Sequence, residues 1–351
     1  VKLSELGEDG FLNELALRFP PDTERIPVGI GDDAAVVAPL DGERLLLATD
    51  SLVETVHFTR QSLPPRFAGR KAVAVNASDI AAMGGVAQAV LLSLSVPEET
   101  EVESLWQLVE GAAERARELG MELVGGNLAR SPGPVVIDVT ILGSTIHGRA
   151  LLRKGARVGD AIYVSGKLGA AATGFELIRR GAALSPSGLV VPDALGTGPL
   201  RLAEGCIRSH IDPQPRLELG RLLNERRVAT SCMDISDGLG ADLPRLCRAS
   251  GVGARIEESA LPLDPGLLAW EHAWGNKPLA RALGGGEDYE LLFTVRNEKK
   301  LESLRKKVTL PLTRIGVLGE PDGPLEIRRR DGRLETLERG GWDHFRAPVV
   351  G

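Results

Sequence analysis

The sequence predicts an α/β (α+β) chain of two domains, divided near Gly148. Its 351 residues exceed the usual single core. Along both halves, apolar residues switch between a period of two and a period near 3.6, so strands and helices alternate. Residues 1–148 read as β-rich segments with two long helices, and residues 149–351 as a second sheet-and-helix unit.

Residues 10–19 carry helical spacing at Phe11, Leu12, Leu15 and Phe19, and Pro20-Pro21 stops the run. Val36–Ala38 and Leu45–Thr49 flank Asp41-Gly42, a hairpin signal. From Pro64 to Gly84 the chain reads as a helix with Ala72, Val75, Asn76, Asp79 and Met83 on one face, ended by Gly84-Gly85. Asn76 and Asp79 are the polar members of that stripe and need partners; taken alone, a core hydrogen bond is the plainer reading. Ala87–Val96 alternates as a strand, and Thr100–Gly120 is amphipathic with Leu105, Leu108, Val109, Ala112, Ala116 and Leu119 inward. Met121–Val124 is a strand running into Gly125-Gly126-Asn127, and Val135–His147 is another. In the second unit Asp160–Ser165 is a strand and Leu168–Gly181 a helix. Residues 182–199, rich in Pro, Gly and Ser, are expected to be a loop. Helices at Arg216–Arg226 and Leu239–Gly251 flank the strand Ala229–Asp234. Gly284-Gly285-Gly286-Glu287-Asp288 leads into the strand Tyr289–Val295, and a helix, a strand and a hairpin follow.

The candidate chemistry lies in acidic turns. Gly29-Ile30-Gly31-Asp32-Asp33-Ala34 formally fits the dinucleotide fingerprint, but two Asp would repel a pyrophosphate and the following Ala-Ala-Val-Val reads as strand. Similar Asp-bearing segments recur at Thr49-Asp50, Asp79 and Asp234-Ile235-Ser236-Asp237. These are hard oxygen donors. Mg²⁺ prefers such donors, keeps several waters, and bridges one or two carboxylates to substrate phosphates. Many Asp therefore point to several ions and a phosphorylated ligand, with Asp32, Asp33, Thr49, Asp50, Asp79, Asp234 and Asp237 as metal-ligand candidates. Ser165-Gly166-Lys167-Leu168 lacks the Ser/Thr and the upstream Gly of a phosphate-binding loop. Neither an H-R-D/D-F-G pair nor a G-x-S-x-G elbow occurs.

Composition narrows the partners. The formal net charge is -6 and no Lys/Arg block stands out, so nucleic-acid binding is not indicated. No apolar run reaches a membrane-spanning length, and Val1-Lys2-Leu3-Ser4-Glu5 carries no targeting core. Cys206, Cys232 and Cys247 are odd in number without C-x-x-C spacing, which fits a reduced, cytoplasmic protein. The five scattered His argue against a zinc site.

Taken in order, GIGDDAAVV, LLLATDSLVETVHF, RKAVAVNASDIAAMG, MELVGGN, GRALLR, MDISDGLGADL, GGGEDYELLF and GGWDHF resemble the thiamine-monophosphate kinase family of the aminoimidazole-ribonucleotide synthase superfamily. The resemblance covers almost the whole chain. It implies an ATP-dependent kinase making thiamine diphosphate, with Mg²⁺ as cofactor, a homodimer formed through the N-terminal sheet, and sites near domain and subunit interfaces. By motif position it places magnesium on Asp33, Thr49, Asp50, Asp79, Asp234 and Asp237, with Asp32 as the partner acid. Asp33, Asp79 and Asp237 form the expected catalytic cluster. Nucleotide contacts fall on Gly126, Asn127, Arg153 and Ser236, and thiamine-phosphate contacts on His57, Glu287 and Trp342. Two departures stand out: Asn127 replaces the Asp of the family's Gly-Gly-Asp motif, and Ala48 stands where relatives can have Ser. Selenophosphate synthetase is disfavoured because no Cys lies near the N-terminus. The hydrogenase-maturation relative is disfavoured because the chain ends Arg-Ala-Pro-Val-Val-Gly without a Cys. A catalytically silent nucleotide-binding paralogue is the alternative of another class, motivated by Asn127.

Overall fold

The computed structural model describes residues 14, 17–19, 42–185, 188–190, 200–275, 277–337 and 340–341. The chain splits into two compact units, the first ending at Arg149 and the second formed by Ala150 onward together with Ala81–Gly84.

The first unit holds a four-stranded sheet in the order β1 (Leu45–Val53), β4 (Val136–Ser144), β2 (Val86–Val96), β3 (Glu122–Arg130). Only β2 and β3 run parallel. Two helices, α1 (Pro65–Ala82) and α2 (Val102–Glu118), supply the rest of the core. α2 buries the expected Leu105, Leu108, Val109, Ala112 and Ala116. Residues 71–78 of α1 are buried all round, Lys71 included, so α1 is an interior helix without a single inward stripe. The two helices touch backbone to backbone. A Cβ on Gly69 would stand 1.9 Å from the Leu108 carbonyl oxygen, and one on Gly111 would stand 2.0 Å from that of Arg66. The Arg70 guanidinium then reaches across to Glu118 with bonds of 2.9 and 2.8 Å. Arg70 and Arg115 hold the Glu118 carboxyl down at about 2. Of the helix expected over residues 10–19, the described Glu14, Leu17 and Arg18 are helical, and Arg18 stacks 3.6 Å over Trp106. The strand expected at Val36–Ala38 lies outside the described residues.

The second unit is a seven-stranded sheet in the order β13 (Leu334–Thr336), β12 (Leu325–Arg328), β9 (Val252–Glu257), β11 (Leu312–Pro321), β5 (Ala161–Ser165), β10 (Glu290–Val295), β8 (Ala229–Ile235). Every pairing is antiparallel except β12 with β9. Strands β5 and β10 are buried throughout, which fits a sheet covered on both faces. Alternation sends Ile162, Val164, Met233 and Ile235 into one core and Ala161, Tyr163, Cys232 and Phe293 into the other. The first core packs α6 (Leu239–Ser250) and α7 (Pro265–Ala273). The second packs α5 (Leu217–Glu225) and α8 (Glu298–Arg305).

Two expectations are corrected here. Within the predicted loop 182–199, β6 (Ala183–Ser185) pairs with β7 (Gly188–Val190), strands too short to leave a period in the sequence. Leu200–Ile211 is a helix, α4, that sequence patterning did not assign. Its buried positions are Ala203, Cys206, Ile207, His210 and Ile211. They follow helical spacing, but a Cys and a His at two of them hide the stripe. α4 crosses α3 (Ala170–Arg179) at Gly174, where a Cβ would meet the Cys206 carbonyl oxygen at 2.0 Å.

Candidate active site

In the first unit the register sorts the predicted residues by face. Asp50 is opposite Val139, which is opposite Leu92, which is opposite Gly126. Alternation puts Leu46, Ala48 and Asp50 on one face, with Gly143, Ile141 and Val139. That is the face α1 covers: Gly143 and Gly85 leave room for Ile80, whose side chain would lie 3.2–3.3 Å from a Cβ at either. Asp79, half-buried beside Ile80, therefore belongs to the same side of the sheet as Asp50. Thr49 points the other way. Its hydroxyl donates to the Val139 carbonyl oxygen at 3.0 Å and accepts from Thr140 at 3.2 Å.

Gly125-Gly126-Asn127 lies inside β3 and not in a loop after it. A register shift, with Val124 as the extra residue, carries the pairing through to Arg130. Gly126 is exposed, and a Cβ there would stand 1.8 Å from the Leu92 carbonyl oxygen. Asn127 is exposed on the opposite face, in a row with Ser93, Asp138 and Ser51. β1 and β3 are the outermost described strands, so Asp50 and Gly126 stand three strand spacings apart, about 14 Å. His57 follows β1, and its Nδ1 accepts from the Val53 N–H at 3.0 Å. In the neutral ring this leaves the proton on Nε2. Asn76 has its plainer reading at the amide nitrogen, which donates to the Ala72 carbonyl oxygen at 2.9 Å.

In the second unit two glycine-bearing loops meet at the ends of β8 and β10. Glu287 N–H donates to the Ser236 carbonyl oxygen at 2.7 Å, and Tyr289 N–H to that of Ile235 at 2.9 Å. Gly286 has a φ of 66° and would set a Cβ 2.7 Å from the Ser236 oxygen, so only glycine fits there. The approach gathers Ser236, Asp237 and Glu287, with Asp234 buried three residues before Asp237. Asp242, in the first turn of α6, accepts from the Asp237 N–H at 3.1 Å. The Arg245 guanidinium bonds both Asp237 and, at 2.6 Å, Asp242. Burial, then the charges of Asp237 and Asp234, push the Asp242 carboxyl up to about 7 against the pull of Arg245. Arg153 is exposed, held by its backbone: its carbonyl oxygen accepts from Ser250 at 3.0 Å, and the neighbouring Leu152 accepts from the Cys232 N–H at 2.9 Å.

Asp32, Asp33 and Trp342 lie outside the described residues. Among the described residues no three His, Cys, Asp or Glu side chains converge on one point. Sequence reasoning missed Asp242, Arg245, Asp288 and His210. Asp242 and Arg245 are three apart on a helix, a legible spacing.

Asp288 ties the loop of Gly284–Asp288 to the start of α3. Its carboxylate accepts the Gly169 N–H through both oxygens, at 3.0 and 2.9 Å, ahead of the first turn of that helix. Burial, and next the charges of Glu290 and Asp264, push it up to about 8 despite these backbone donors. Between about pH 4 and 8 the folded state thus holds a proton the unfolded chain has lost. This group's contribution to stability is present below the unfolded pKa and falls as pH rises to 8. Asp288→Asn is expected to remove that slope. Denaturant unfolding at pH 5, 6, 7 and 8 checks it, and an unchanged slope in the variant contradicts it.

The AIR synthase related protein N-terminal domain matches residues 31–145, and the C-terminal domain matches residues 157–324. The chain is 35% identical to the thiamine-monophosphate kinase of Bacillus subtilis (strain 168) over 325 residues, 92% of this chain and 94% of that one. The solved thiamine-monophosphate kinase from Stenotrophomonas maltophilia K279a superposes with a TM-score of 0.77 at 34% identity, covering 92% of this chain and 96% of that chain. The structure of AaThiL complexed with AMPPCP and TMP gives a TM-score of 0.73 at 34% identity, covering 98% and 99%. Two AIR synthase related domains in order, and full-length likeness at this identity, mean that the chain belongs to the thiamine-monophosphate kinase family of the AIR synthase related proteins.

Proposed function

We propose that this chain transfers the γ-phosphoryl group of ATP to thiamine monophosphate, releasing ADP and thiamine diphosphate. The observation that carries this is the near-complete likeness to a kinase solved with AMPPCP and TMP, at an identity well above what fold alone requires. A phosphate oxygen of the acceptor forms the new bond to the γ-phosphorus as the bond to the ADP oxygen breaks. That oxygen is ionised near neutral pH, so no strong general base is needed. The chain's part is to position the phosphates and offset their charge.

The donor set fits Mg²⁺. Asp50 and Asp79 share one side of the first sheet, and Asp234 and Asp237 lie three residues apart, where their charges add to burial in raising Asp242. A protein-only triad is not required, since Mg²⁺ takes one or two carboxylates and completes its shell with water and phosphate. When bound, the ions would neutralise the phosphate oxygens; Asp50, Asp79, Asp234 and Asp237, with Asp32 and Asp33, would hold them. Arg153 offers a fork of donors to phosphate, alongside Ser236, Gly126 and Asn127 on the nucleotide. Glu287 opposes the thiazolium charge, Trp342 stacks on it, and His57 contacts the same substrate.

Transfer is direct. The three cysteines are buried, and burial pushes their thiols up, Cys247 to about 12 and Cys206 and Cys232 further. None offers a thiolate nucleophile at neutral pH. Buried free thiols also fit a cytoplasmic site of action. No described helix is long and apolar enough to cross a membrane.

A homodimer through the first sheet is supported by the exposed apolar side chains on one of its faces, among the described residues. Leu47 is 71% exposed, Leu45 52% and Leu91 41%, around a small cluster of Ala89, Val124 and Leu142. Apolar side chains gathered on one sheet face call for a partner surface.

The test is ADP release by the purified chain with ATP and Mg²⁺. Release is expected with thiamine monophosphate and not with an aminoimidazole precursor. Release with the aminoimidazole precursor alone, or ATP binding without turnover on either, overturns the proposal.

A further inference from the structure

We infer that His210 is a positioning residue for the thiamine substrate, acting through Glu287. The inference rests on the reading of Glu287 as the group that faces the thiazolium. Glu287 sits at a φ of 60°, between Gly286 at 66° and Asp288, in a backbone conformation uncommon for an L-residue. Three contacts pin the loop's backbone: Glu287 N–H to Ser236, Tyr289 N–H to Ile235, and the Asp288 carboxylate to the Gly169 N–H. None of them fixes the Glu287 side chain, which has three torsions of its own. His210 does. Its Nδ1 lies 2.8 Å from Glu287 Oε2.

The two partners differ in burial. The His210 side chain is 3% exposed and that of Glu287 is 29% exposed. The imidazole is therefore the fixed member. It is buried on α4, as are Ile207 and Ile211, and the Phe175 ring lies 5.2 Å away at a tilt of 44°. One side of the carboxylate rests on a rigid base while the other keeps access to solvent, where a cationic ring can arrive. A carboxylate held in place loses less freedom on binding than a free one. The effect belongs to substrate binding and not to the transfer step.

Three variants separate this from a packing role. His210→Leu fills the space without a ring nitrogen. It is expected to raise KM for thiamine monophosphate about 5–10-fold, with kcat and KM for ATP changed less than about twofold. His210→Asn can place an amide donor near the Nδ1 position and should restore most of the parental KM. In a Glu287→Gln background, itself raised in KM, His210→Leu should add little, because the two act as one unit. If His210→Leu does not fold, His210→Gln, which displaces the donor, is read the same way. A lowered melting temperature and kcat with KM unchanged, while Glu287→Gln raises KM, overturns the role of His210 alone. An unchanged KM in Glu287→Gln overturns the substrate role of Glu287 and the inference with it.

Discussion

Asp79→Ala is expected to lower kcat by about 10²–10³ while the protein stays folded. Asp79 is half-buried in α1, whose flanking Ala77, Ser78, Ile80 and Ala81 are buried. Alanine is the better helix former, and a truncated half-buried carboxylate leaves a gap that water can fill, so the helix should survive. What is lost is charge. Ile80 anchors this turn against Gly143 and Gly85, on the side of the sheet that carries Asp50. A carboxylate so fixed costs no reorganisation when phosphate charge shifts during transfer. A mobile surface acid would be worth far less. Asp79→Asn, which keeps the oxygen and removes the charge, should fall between parent and Ala. Circular dichroism reports the fold and steady-state kinetics the loss. Near-parental kcat in folded Asp79→Ala would show that the charge at this position is not used.

How far the site could be read in advance depended on the kind of signal. α2 was legible because its buried positions obey one period, and β2 because alternation holds from Val90 to Val96. α1 was legible as a helix but not as an interior one, since alanines carry little information about which way they face. The strand through Gly125-Gly126-Asn127 was misread as ending at Val124. Two glycines signal a turn locally, and only the pairing with β2 keeps them extended. α4 was missed because Cys206 and His210 occupy apolar positions. The acids themselves were visible as residues in turns, and the Asp237–Asp242–Arg245 set follows from helical spacing once α6 is placed. The contact of His210 with Glu287 spans 77 positions and has no local trace. Alternation alone sets Thr49 and Asp50 on opposite faces, but which of the two faces α1 has no local trace either.

That sorting leads to the second large effect. Asp50 and Gly126-Asn127 lie on opposite flanks of one four-stranded sheet, about 14 Å apart. An ion of about 2 Å bond length cannot bridge that distance within a chain. A two-fold dimer that lays the β1 side of one sheet beside the β3 side of its copy would bring one chain's Asp50 toward the other's Gly126-Asn127 segment, where Gly126 shares the face of Asp50 and Asn127 follows it on the other face. Each site would then draw on both chains. Asp50→Ala and Asn127→Lys should each be nearly inactive alone, the first by losing a carboxylate and the second by setting a cation where metal and phosphate belong. Asn127 is exposed and its neighbours in the row are polar, so the lysine has room and the fold should stand. Co-expressed with different tags and purified as the mixed dimer, the two variants should recover close to half the parental turnover. One site carries both lesions and the other carries neither. Unmixed variants refolded separately and combined without exchange provide the baseline. Recovery no greater than that baseline, in a mixed dimer confirmed by both tags, would place Asp50 and Asn127 in sites built from one chain.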